Sequence, residues 1–210
     1  GSGRDEDPRF AMLLNALLLC LPGTIFLYQG EELGLPQANV PFEKLKDPEG
    51  IAFWPDNLGR DGCRTPMPWL KSAPHAAFST GDPWLPVDPR HLALAVDQQA
   101  DDPASALAGA RRAIAHRGRE PALRLGSCRF LEAPEPVLAF ERQHQDQTLL
   151  CLFNLSDRPQ TFALPEGSWS IGPGSAGSGL LQPLSGQVTV TGGQVLLGPY
   201  GATTAKSASG

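Results

Sequence analysis

Several things are missing from this 210-residue chain, and each absence removes a class of function. Lysine is scarce: only Lys44, Lys46, Lys71 and Lys206 stand among 17 cations, against 22 acids and a formal net charge of -5. No basic stripe exists, so a nucleic acid is not an expected partner. No apolar run reaches the ~20 residues that span a bilayer; the longest, Phe10 to Leu21, is about a dozen and is broken by Asn15, so no membrane partner is expected. The four cysteines, Cys20, Cys63, Cys128 and Cys151, show no CxxC spacing, and His75, His91, His116 and His144 are dispersed, so no metal site is expected. Cys20 and Cys151 read as buried free thiols and the four histidines as surface residues. There is no Ser–His–Asp grouping, no phosphate-cradling glycine loop and no dinucleotide fingerprint. Buried free thiols suggest a reducing compartment, so the cytoplasm is expected, and no secretory leader is visible. The opening Gly-Ser-Gly looks like a linker or a cut end, so the periplasm stays open.

Turn formers, in contrast, are plentiful, with 23 Gly and 21 Pro. Asp7-Pro8 pairs a side-chain cap with a preset φ, which predicts a helix over 8–21 ended by Pro22-Gly23. Its apolar residues cover nearly every face, so it should be buried on most sides. Thr24 to Tyr28 is short, β-branched and aromatic without alternation, as in a parallel strand buried on both faces. Residues 29–86 then lack periodicity but carry Phe42, Phe53, Trp54, Trp69, Phe78 and Trp84. That is too aromatic for disorder and predicts an ordered, functional excursion. Asp88-Pro89 and Asp102-Pro103 repeat the cap-plus-proline signal, and the second predicts a helix, 103–117, with Gly118 as terminator.

From about Cys128 the pattern changes. Short β-type runs at 137–140, 148–153, 160–164, 187–191 and 194–197, separated by turn residues, predict a small antiparallel sandwich or barrel. The Gly/Ser-rich stretch 172–179 reads as a mobile loop. The boundary between the two parts is expected between Arg119 and Ser127.

Two stretches could carry chemistry. Glu31-Glu32 are neighbours in sequence and point in different directions, which makes a poor acid and nucleophile pair, since such carboxylates stand ~5–10 Å apart across a scissile bond. In "RDGCRTPMPW", residues 60–69, a guanidinium held beside Trp and stiffened by Pro66 and Pro68 suits sugar hydroxyls or a carboxylate. The residues themselves take this no further than a polar ligand site on a long loop, and a solvated turn remains the alternative.

"PGTIFLYQGEELGL", "EGIAFWPDNLGRDGCRTPMPW" and "LAVDQQADDPASALAGARRAIAHR" together resemble the α-glucosidase and oligo-1,6-glucosidase branch of the α-amylase superfamily. The resemblance implies an α/β fold followed by an all-β one: the C-terminal part of a (β/α)₈ barrel over residues 1–125, including its long eighth βα loop, then an antiparallel β-sandwich over 126–210. That loop would lie on the catalytic face of the barrel. The resemblance gives Arg64 the part of the arginine that grips the glucose of the −1 subsite. Arg60 and Asp61 would stand near the next subsite, and Glu31 and Glu32 would support the site wall.

The family's nucleophile, acid/base and transition-state-stabilising carboxylates have no counterpart motif in this sequence, so no catalytic residue is expected here. The family's ion site, where present, would also lie outside this chain, and no cofactor is expected. The expectation is a piece of a retaining, exo-acting α-glucosidase that hydrolyses, or transfers glucose from, short α-glucosides such as maltose or isomaltose. Its partners would be the N-terminal part of the same enzyme and the sugar, and alone it should be inactive. The alternatives are a non-catalytic partner subunit of the same architecture and a carbohydrate-binding module.

Overall fold

The computed structural model describes residues 7–166, 169–171 and 188–207. It divides into two compact units, one of residues 1–26 with 109–210 and one of 27–108. The expected mobile loop at 172–179 lies outside the described residues.

In the first unit, helix α1 spans Pro8–Cys20, with Asp7 accepting the Arg9 N–H as its cap. It buries Met12, Leu13, Asn15, Ala16, Leu19 and Cys20 but leaves Leu14 44% exposed, so only one side is covered by its own unit. The strand expected over Thr24–Tyr28 does not form. Those residues have no regular secondary structure, and Phe26 is 82% exposed. A parallel strand exists only through neighbours that take its ladder hydrogen bonds, and none of the described strands pairs with this segment.

The second unit is the loop excursion. It is ordered by short turns: helix α2 at Pro48–Ala52, α3 at Pro89–Leu92, α4 at Val96–Gln99, and single 3₁₀ turns at Glu31–Leu33, Phe42–Lys44 and Asp61–Cys63. Its apolar core is small, formed by Ala38, Val40, Leu45 and Leu85.

Helix α5 runs Ala106–Arg119 rather than 103–117. Asp102 spends its side chain on the Ala104 N–H, while the Ser105 hydroxyl accepts from the Ala108 N–H three residues on, so Ser105 is the working cap. Gly118 does not end the helix; Pro121, which has no N–H to donate, opens the next one, α6, at Pro121–Leu125.

Eight strands follow: β1 Ser127–Phe130, β2 Val137–His144, β3 Gln147–Asn154, β4 Gln160–Ala163, β5 Trp169–Ile171, β6 Val188–Thr191, β7 Gln194–Leu197 and β8 Ala202–Ser207. They form two antiparallel sheets, ordered β1-β2-β3-β8-β5 and β4-β7-β6. The larger sheet is covered on both faces. Phe140, Leu149, Cys151 and Phe153 meet Leu13, Ala16 and Leu19 of α1, Ala113 of α5 and Leu123 of α6. Ala139, Leu150, Leu152 and Ala205 meet Phe162, Val195 and Leu197 of the smaller sheet. Side chains alternate along a strand, so Leu149 to Phe153 serves both layers at once.

The C-terminal end of α1 has no basic residue of its own in its last turn. Two arginines supply the charge from elsewhere in the same unit. Arg117 of α5 donates to the carbonyls of Leu19 (2.8 Å), Leu21 (2.9 Å) and Gly23 (2.8 Å). Arg142 of β2, wholly buried, donates to Cys20 O at 2.5 Å and to Ser127 O and Gly126 O at 3.1 and 2.9 Å. These carbonyls are the ones a helix leaves without intrahelical donors, and they carry its negative dipole end.

Two of the four histidines expected at the surface are buried, His91 at 2% and His116 at 1% exposure. Both are stabilised inside by one ring nitrogen: His116 Nε2 lies 3.1 Å from Thr204 Oγ1, and His91 Nε2 lies 2.8 Å from Pro36 O. Dispersion in sequence said nothing about burial. Cys20 and Cys151 are free, buried thiols, as expected.

Candidate functional site

The loop unit holds a cavity of about 570 Å³, within the usual range for small-molecule sites. Its wall joins the two stretches singled out in the sequence: Tyr28, Gly30 and Glu31 from one, and Arg60, Cys63, Thr65 and Met67 from the other. Gln29 ties them together, its side-chain N–H donating to Thr65 O at 3.1 Å.

The first stretch turns sharply. Gly30 has φ +92, and a 3₁₀ turn follows at Glu31–Leu33. Both glutamates cap this turn: Glu31 Oε2 accepts from the Tyr28 N–H at 3.0 Å and Glu32 Oε2 from the Gly30 N–H at 2.8 Å. Glu31 is exposed and lines the cavity, whereas Glu32 is half-buried and does not reach the wall.

The second stretch is pinned from beneath by carboxylates. Asp61 is fully buried, and its Oδ2 accepts from the N–H groups of Lys46 (2.5 Å) and Asp47 (2.8 Å). Its Oδ1 has no partner among the described residues. Asp47 in turn accepts from the N–H groups of Arg60 (2.9 Å) and Glu49 (3.0 Å), and these bonds hold its carboxyl below the usual range. Gly62 has no room for a side chain, since a Cβ there would stand 2.5 Å from Gln37 Cγ and 2.8 Å from Ala38 O. The turn at 61–63 is therefore clamped against 37–38, which fixes the backbone from which Arg60 and Arg64 extend.

Arg60 lines the cavity with its side chain 68% exposed, touching Asp47 at 3.4 Å. Arg64 is half-buried, and its guanidinium has no hydrogen-bond or ion-pair partner among the described residues. Thus, of the five residues expected at the site, Glu31 and Arg60 face one cavity. Glu32 and Asp61 hold the turns that shape it, and Arg64 stands beside Thr65 of the wall with its donors unspent.

Sequence reasoning missed the third side of this site. Asp88 caps α3 and also receives the Asn39 N–H at 2.9 Å. Burial pushes its carboxyl up, but the bidentate Arg90 side chain and the N–H groups of Asn39 and Arg90 outweigh it, leaving it well below the usual carboxylate range. Arg90 also reaches Gln37 O at 2.9 Å, and His91 lines the cavity while holding Pro36 O. The cap signal at Asp88-Pro89 was legible, but its second task as a clamp on 37–39 was not. Gln99 closes the unit, donating to Leu33 O and Leu94 O and accepting from the Leu107 N–H. Among the described residues no group of three or more His, Cys, Asp or Glu could hold a metal ion, and no helix is long and apolar enough to cross a membrane.

Comparison with known proteins accounts for both parts. Residues 2–126 match the alpha amylase catalytic domain, and residues 128–203 match the maltogenic amylase C-terminal domain. The chain is 49% identical over 163 residues to a probable alpha-glucosidase of Rhizobium meliloti, covering 78% of this chain and 29% of that protein. It is 33% identical over 185 residues to an oligo-1,6-glucosidase of Halalkalibacterium halodurans, covering 78% of this chain and 32% of the relative. Among solved structures, the alpha-glucosyl transfer enzyme XgtA superposes with a TM-score of 0.87 at 46% identity, over 96% of this chain and 36% of that one. The chain therefore spans about a third of the length of these relatives. A part of an α-amylase catalytic domain followed by an antiparallel β domain, with matches of this strength, has one reading: the chain belongs to the alpha-amylase family.

Proposed function

We propose that this chain is the substrate-gripping C-terminal piece of a retaining, exo-acting α-glucosidase that acts on short α-glucosides such as maltose or isomaltose. One observation carries the reading. A cavity of small-ligand size is walled by the "LYQGEE" and "RDGCRTPM" segments, in a chain 49% identical to a probable alpha-glucosidase. Residues 1–125 form part of the barrel domain and 126–210 the β-sandwich domain. Arg64, with its donors free, grips the non-reducing glucose, and Arg60 and Glu31 border the next sugar. Asp61 and Glu32 serve the sugar by fixing the backbone beneath them. The nucleophile and the acid/base carboxylate come from the N-terminal part of the same enzyme, and the reaction passes through a glucosyl-enzyme. Likeness to an alpha-glucosyl transfer enzyme supports a sugar hydroxyl as an acceptor besides water.

The test is nitrophenol release from p-nitrophenyl α-glucoside by the full-length protein and its Arg64→Ala variant. Losing a charge-assisted hydrogen bond to the sugar costs roughly 3 kcal/mol, so kcat/KM should fall about a hundredfold with the circular dichroism spectrum unchanged. Near-normal turnover by the variant would refute the role of Arg64. A full-length protein that hydrolyses nothing would instead favour a non-catalytic partner subunit.

A further inference from the structure

The four thiols of this chain are not equivalent. Cys20 and Cys151 are 1% and 0% exposed, and Cys128 is half-buried against the helical core, where burial pushes its thiol up. Only Cys63 is exposed, and it lies in the wall of the cavity just described. Its backbone cannot move aside: it closes the 3₁₀ turn 61–63, which is clamped through Gly62 and the buried Asp61. Its Sγ lies 3.1 Å from Arg60 O, a weak contact that the thiol can give up.

A second, independent feature marks the same cavity as a place for a polar ligand. His91 lines it and is 2% exposed; its Nε2 is engaged by Pro36 O, and its Nδ1 has no partner among the described residues. With Nε2 donating to a carbonyl, Nδ1 is left as an acceptor, a buried polar atom whose hydrogen bond this part of the chain does not supply.

We propose that Cys63 is a thiol-modification site in the wall of the sugar cavity, and that a mixed disulfide with a small peptide thiol formed there excludes the sugar. This rests on the assignment of the cavity to sugar binding made above. The Cys63 thiolate attacks one sulfur of a low-molecular-weight disulfide RSSR. A Cys63–S–S–R bond forms as the S–S bond of RSSR breaks, the other half leaves as RS⁻, and the proton lost by Cys63 ends on that leaving thiolate. The oxidant is the small disulfide itself, and excess dithiol reverses the step. A tripeptide adduct hanging from the wall competes with a sugar for a volume of about 570 Å³.

The experiment treats the full-length protein with oxidised glutathione at pH 8, with and without saturating glucose. Adducts are mapped by intact mass and peptide sequencing, and p-nitrophenyl α-glucoside turnover is measured on the same samples. The expected result is an adduct at Cys63 ahead of the other cysteines of this region, formed more slowly in glucose. Turnover should fall at least about tenfold and return with dithiothreitol. Cys63→Ser, treated identically, should keep its own untreated rate. An adduct at Cys63 with unchanged turnover would overturn the proposal, as would preferential reaction at Cys128 or labelling indifferent to glucose. If the untreated protein proves inactive on the glucoside, that failure belongs to the glucosidase reading. The adduct's position and its slowing by glucose, both read by mass, then still decide for or against Cys63.

Discussion

The β-rich unit and the loop unit are held together by different forces. The first is layered: helices, a five-stranded sheet and a three-stranded sheet share two apolar cores, with Leu149 to Phe153 contributing to both. The second has, among the described residues, only one small cluster of buried apolar residues, Ala38, Val40, Leu45 and Leu85, and relies on side chains that bond backbone: Asp47, Asp61, Asp88, His91 and Gln99. A surface that must present a cavity with exposed arginines cannot bury much apolar area. Hydrogen bonds at fixed angles then do the holding, and they also fix where the arginines start from. The apolar layers tolerate polar change at their rim; the loop unit tolerates little change in its buried carboxylates.

The sharpest way to break this contrast is one substitution of each kind in the full-length protein, read by hydrogen exchange in both units. Leu152→Ala removes a fully buried side chain between the two sheets. It should cost about 3 kcal/mol and release the amides of β2, β3 and β7. Asp61→Ala leaves the Lys46 and Asp47 N–H groups without their acceptor. It should cost roughly 2 kcal/mol and release amides over 44–64, with a weaker grip on sugar as a consequence. If Asp61→Ala leaves exchange over 44–64 unchanged, the loop unit is held by something other than its carboxylates.

Next in size is a pH effect that belongs to the layered unit alone. His116 is 1% exposed, and burial, with Arg119 adding to it, pushes its pKa down from 6.5 to about 4. The folded state keeps it neutral while the unfolded chain takes up a proton. Its contribution to stability is thus fully present above pH 6.5, is lost as pH falls from 6.5 toward 4, and changes no further below that. Between pH 7 and 5 the loss should be about 2 kcal/mol. Urea melts at the two pH values, compared with those of His116→Asn, isolate it; equal slopes in both proteins would mean that His116 is protonated when folded.

How much of this could be read from the sequence follows the same divide. Short β-type runs bounded by turn residues marked five of the strands, because a layered sheet writes its strands and turns into local composition. Strand β8, Ala-Thr-Thr-Ala-Lys-Ser, was missed: its first four residues are buried between β3 and β5 without a single large apolar residue to mark it. The apolar stretch 24–28 misled in the other direction, since its composition suits a strand whose ladder no described strand completes. In the loop unit, motif resemblance singled out Glu31, Arg60 and Arg64 as candidates, but no periodicity could announce that Asp88 clamps Asn39, 49 residues away. Long-range side-chain-to-backbone bonds leave no local pattern, and the buried side of the cavity consists of them.

The smallest expected effect is a gain. His75, Ala76 and Ala77 follow one another in the left-handed region, with φ of 50, 54 and 58. This single turn brings the Ala76 carbonyl within 3.0 and 3.1 Å of the Trp69 and Leu70 N–H groups. It is the loop unit's method in its most costly form, a backbone bent against its preference so that one acceptor can meet two donors. An L-residue there costs roughly 1–2 kcal/mol, from the crowding of Cβ against the following carbonyl, and glycine escapes it. Ala76 is 2% exposed, so its methyl is packed and replacing it would also open a gap. Ala77 is exposed and carries the strain with no packing to lose. Ala77→Gly should therefore stabilise the full-length protein by about 0.5–1 kcal/mol, the relief of strain being partly offset by the greater freedom of glycine in the unfolded chain. A rise in melting temperature, with slower exchange at the Trp69 and Leu70 amides, is the signature. A fall would mean that Ala77 is held at positive φ by contacts worth more than the strain, and that the turn is built on packing after all.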